Sequence, residues 1–76
     1  MNGRALFYVG EDRTYEVDPA TPDVAVVCLA SGLEDVVTRE TLVRELAAER
    51  GWSLARAAWY VDYTVASYAL DAQEAA

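Results

Sequence analysis

The amino-acid sequence predicts an α+β domain: an N-terminal β-hairpin followed by three helices, the last two forming a helix-turn-helix. Three observations lead there. Residues 4–17 hold two short runs of strand formers around a polar turn. Residues 38–71 carry two stretches of helical apolar periodicity separated by Gly51. The second of these, WSLARAAWYVDYTVASYAL at 52–70, is apolar on two opposite helical faces.

The elements follow in order. RALFYV at 4–9 is rich in strand formers, Gly10-Glu11-Asp12 makes a turn, and Thr14-Tyr15-Glu16-Val17 alternates as a second strand, so the hairpin spans about 4–17. A lone hairpin is marginal and must pack on the helices or gain another strand. Both prolines fall in 18–23 and end the sheet, with Thr21 as N-cap and Pro22 as first residue of a helix over about 22–31. Val24, Val27, Cys28 and Leu29 give that helix its core stripe, and Gly32 stops it; VAVVCL at 24–29 also fits a short buried strand. Thr38 caps a second helix over about 38–50, with Glu40 in its first turn and Leu42, Val43, Leu46 and Ala47 as its inner stripe. Glu40 and Arg44 are spaced for a pair on its solvent side. Gly51 ends it, Ser53 caps a third helix over about 53–71, and the tail from Asp71 to Ala76 is expected to fray.

Seventy-six residues make one domain with a thin core, so association with a partner is a natural stabiliser. The net charge is −7, and no segment is basic, which disfavours autonomous nucleic-acid binding. All six basic residues are Arg, a pattern of GC-rich genomes. The single cysteine, Cys28, excludes an intrachain bridge; it reads as a small buried hydrophobe in a reducing compartment, and the expected location is the cytoplasm. Neither a signal peptide nor a membrane span is expected, because ALFYV at 5–9 is too short and Arg56 and Asp62 interrupt the longest apolar run.

The chain has no His, its serines lack triad partners, its glycines are isolated, and its acidic pairs Glu11-Asp12 and Glu34-Asp35 sit beside turns. No enzyme activity, cofactor or metal is expected. The aromatic residues point instead to binding. On the last helix, Leu54, Ala57, Ala58, Val61, Val65, Tyr68 and Ala69 fall on the core side, and Trp59, Tyr63, Ala66 and Leu70 on the opposite side. Trp52 reads as an apolar staple onto that helix. The leading expectation is a non-catalytic protein- or peptide-binding module, self-associating as a homodimer through Trp59, Tyr63, Ala66 and Leu70.

Ala47, Gly51 and Trp52, in LAAERGWS at 46–53, resemble the bacterial helix-turn-helix signature: a small residue, a Gly four positions later, then an apolar residue. The resemblance implies a DNA-binding regulator or antitoxin, with Arg39, Arg44, Arg50 and Arg56 as the cluster that would meet phosphate. The first turns of the last helix, however, offer only Arg56 as a strong base reader. The acidic surface also admits a nucleic-acid mimic. A second resemblance rests on Thr14-Tyr15-Glu16-Val17-Asp18-Pro19, a helix closing on Gly32, and the two later helices. This order is similar to the winged-helix-like domains that recognise leader peptides in the biosynthesis of ribosomally made, modified peptides, the pyrroloquinoline-quinone peptide chaperone among them. It implies a peptide added as a strand along Thr14, Tyr15, Glu16 and Val17 and packed on the aromatic face of the last helix.

Overall fold

Four consecutive strands pair antiparallel where a hairpin and a helix were expected. The computed structural model describes the backbone of residues 4–75 and the side chains of residues 4–71. Strands β1 (Ala5–Tyr8), β2 (Arg13–Val17), β3 (Val24–Leu29) and β4 (Glu34–Thr38) form one sheet in the order β1-β2-β3-β4. Helices α1 (Arg39–Arg50) and α2 (Leu54–Ala75) follow.

The expected hairpin is present, with Phe7 opposite Tyr15 and Ala5 opposite Val17. The helix expected over 22–31 is corrected to strand β3, which pairs with β2 through Tyr15–Val27 and with β4 through Ala25–Val37. The fold is therefore four strands and two helices, not a hairpin and three helices. The physical reason is period. Ala25 and Val27 are buried while Val24, Val26 and Cys28 stand on the other side, an alternation of two that a sheet uses and a helix does not. Filling the sheet with two further strands also supplies what an isolated hairpin lacks. Gly32 is not a helix stop but the turn of the β3–β4 hairpin, at φ +94°, with its N–H donating to the Leu29 carbonyl at 2.9 Å. Thr21 and Pro22 cap no helix. They lie in the β2–β3 loop, where the Asp18 carboxylate accepts from Ala20 N and its carbonyl accepts from Thr21 N, both at 2.9 Å.

Both helices cover one face of the sheet, α1 against β3 and β4 and α2 against β1. Ala5, Phe7, Val9, Tyr15, Val17, Ala25 and Val27 meet Leu42, Val43, Leu46 and Ala47 of α1 and Ala57, Val61 and Val65 of α2 in a single core. Arg13 of β2 ties α1 to the sheet through Glu45 at 3.0 Å. α1 is capped as its sequence predicts: Thr38 Oγ1 accepts from Thr41 N at 3.2 Å, and Gly51 ends the helix at φ +69° with its N–H on the Ala47 carbonyl. Ser53 Oγ accepts from Arg56 N at 3.1 Å and starts α2, which continues past the expected end at Asp71 to Ala75. The helix–turn–helix connection thus exists without a preceding helix, so the three-helix framework of a winged-helix domain does not form.

Candidate functional site

The outer face of α2 has no cover from the rest of the described chain. Helical periodicity buries Ala57, Val61 and Val65, half-buries Tyr68 and Ala69, and turns Trp59, Tyr63, Ala66 and Leu70 outward. Trp59, Tyr63 and Leu70 keep 62%, 58% and 60% of their surface exposed. Trp59 and Tyr63, four residues apart, stack with ring centroids 5.2 Å apart and planes inclined by 13°. Leu54, expected on the core side, is corrected to an exposed residue at the first turn, where α2 has not yet reached the core.

Beside this stripe lies an apolar recess of about 250 Å³, walled by Pro19 and Pro22 of the β2–β3 loop and floored by Val61, Val65, Ala66 and Ala69. Its rim carries Asp62, whose carboxylate accepts two bonds from Arg39 at 2.8 and 2.9 Å. That pair neutralises the one acid in the middle of α2, and the carboxylate in turn raises the Arg39 pKa. Sequence reasoning missed the recess, because nothing in the local pattern shows that the prolines fold back beside α2.

The four arginines do not act as one unpaired cationic surface. Arg39 is bound by Asp62, and Arg44 sits 4.0 Å from Glu40 of the same helix. Both line a groove floored by Val43, Ala55 and Ala58. Arg50 donates to the Tyr8 carbonyl at 3.3 Å, and the guanidinium groups of Arg50 and Arg56 lie 5.7 and 4.7 Å from the Trp52 ring. Trp52 packs edge-on against Tyr60, which packs edge-on against Phe7, so this tryptophan belongs to the margin of the core.

Thr14, Tyr15, Glu16 and Val17 are placed differently from their expected role. β2 is a central strand with both edges paired, so no peptide can add to it; the sheet edges are β1 and β4. Tyr15 and Val17 point into the core, and burial raises the Tyr15 pKa, with Glu45 adding to the effect. Thr14 and Glu16 face the uncovered side of the sheet, with Leu6, Tyr8, Val26, Cys28 and Val36. Cys28, expected to be buried, is corrected to a half-buried position on that uncovered side because its strand alternates.

Among the described residues no group of three or more His, Cys, Asp or Glu is placed to hold a metal ion, and no helix is long and apolar enough to cross a membrane. No family model, curated protein or solved structure matches the chain.

Proposed function

We propose that this chain is a non-catalytic protein-binding module whose contact surface is the outer face of α2. One observation carries the reading: a stacked Trp59–Tyr63 pair stands exposed beside an apolar recess on the same helix. Large apolar patches on so small a domain mark contact sites, and Trp and Tyr are the residues most enriched at their energetic centres. The absence of His from the sequence supports a binding role over a chemical one. A reducing location such as the cytoplasm suits the single Cys28.

The test places a benzophenone amino acid at position 63 and, as a control on the opposite helix, at position 48, in the producing cell. Illumination is expected to give a discrete protein adduct from position 63 that position 48 does not give. Trp59→Ala should abolish the adduct while the thermal unfolding stays within about 0.5 kcal/mol of the parent, since the side chain is on the surface. No adduct at 63, or the same adducts from 48, overturns the reading.

A further inference from the structure

We infer that the open face of the sheet is a contact surface in its own right, and that its occupant is a basic amphipathic helix, an apolar stripe flanked by Lys or Arg. Strand register places the residues. Leu6, Glu16, Val26 and Val36 are successive cross-strand partners and form one row over all four strands. Tyr8, Thr14, Cys28 and Glu34 form the next row. The core and both helices lie on the other side, and Leu6, Tyr8 and Val36 keep 48%, 64% and 65% of their surface exposed. An antiparallel sheet covered on one side ordinarily gives its solvent side to polar residues. Here the first row is apolar at every position except Glu16.

Charge identifies the occupant. A purely apolar cover would strip water from Glu16 and Glu34 and return no counter-charge, which is costly. Arg4 stands 3.6 Å from Glu16, but among the described residues no arginine pairs with Glu34. Arg13, the other arginine of the strands, is turned to the helix side and held by Glu45 at 3.0 Å. Residues 4–38 hold seven carboxylates against these two arginines, so −5 of the chain's −7 lies in the strands and their connections. A second copy would set these acids against themselves, and nucleic acid or an anionic lipid surface would be repelled likewise. A cationic segment is drawn in from a distance and neutralises Glu34 on arrival.

Spacing sets the form. Leu6 and Val26 flank Glu16 and lie two strand spacings apart, about 10 Å, which matches the rise between positions i and i+7 of a helix. Apolar side chains at those two positions meet Leu6 and Tyr8 at one end and Val26 and Val36 at the other. Basic side chains beside the stripe then reach Glu16 and Glu34. Such a helix adds a third layer over the sheet, opposite α1 and α2. The surface is separate from the outer face of α2, so its test and the crosslinking at position 63 are independent.

The test titrates the isotope-labelled chain with the amphipathic peptide LKKLLKLLKKLLKL and follows the amide NMR shifts. Saturable shifts are expected at Leu6, Glu16, Val26 and Val36, with none from the same peptide carrying Glu in place of Lys or Ser in place of Leu. Glu34→Lys and Val36→Ser should each weaken binding about tenfold. Glu49→Lys, which makes the same change of net charge at the far end of α1, should bind within about twofold of the parent. Circular dichroism melts confirm that each variant is folded. Shifts centred on Trp59 and Tyr63, or no saturation up to about 1 mM peptide, overturn the sheet face as the site. Equal binding of the Glu peptide, or equal weakening by Glu34→Lys and Glu49→Lys, overturns the basic helix as its occupant.

Discussion

Cys28 and Glu16 stand side by side on the uncovered face of the sheet. The thiol donates to Glu16 Oε2 at 3.3 Å and lies 3.8 Å from Glu34 Oε2, and Arg4 approaches Glu16 Oε1 at 3.6 Å. The hydrogen bond to Glu16 raises the thiol pKa first, followed by its partial desolvation and the two negative charges. A thiol held protonated is a poor nucleophile. Cys28 should therefore react with a disulfide reagent more slowly than a free thiol at pH 8, and Glu16→Gln should speed it several-fold; equal rates would contradict the effect. Because the folded-state pKa lies above the unfolded one, the associated stability is complete below the ordinary thiol range of about 8.5 and is lost as pH rises through the folded value. Thermal melts between pH 7 and pH 10 should thus decline less steeply for Cys28→Ser.

At the scale of elements, α1 depends on its two ends. Gly51 occupies the left-handed region, where a side chain costs about 1 kcal/mol or more, and Thr38 supplies the cap bond to Thr41 N. Gly51→Ala and Thr38→Ala should each lower the unfolding free energy by about 1 kcal/mol, read by urea denaturation. A change below about 0.3 kcal/mol would mean the turn relaxes freely. These ends were legible in the sequence because caps and stops are local chemistry. So were the hairpin and the outward Trp59 stripe, which follow from strand formers and helical period. β3 was not, because six consecutive apolar residues satisfy either period, and the choice is made by β2 and β4 on its flanks. β4 escaped for a related reason: EDVVT is half acidic and exposed, and its strand state comes from pairing with β3. Ser31-Gly32 was the available sign, a hairpin turn signal placed after a β-branched run. The edge of 14–17 expected to take a peptide is occupied by β3, which pairs along it.

For the molecule as a whole, the consequence of this topology is a division of faces. The helices shield one side of the sheet, the other keeps Leu6, Tyr8 and Val36 in solvent around Glu16, and α2 turns its own aromatic stripe away from both. The net charge of −7 opposes the approach of other acidic surfaces. The two tryptophans sit in contrasting settings within this frame, Trp52 wedged between Tyr60 and two guanidinium groups and Trp59 open to water. The chain thus carries an optical gauge of its own engagement, with no label attached. Trp52→Phe leaves Trp59 as the sole indole; its emission should lie to the red while the stripe is open to water and move to the blue when a partner covers it. An emission maximum unmoved by a bound partner would place the contact somewhere other than Trp59.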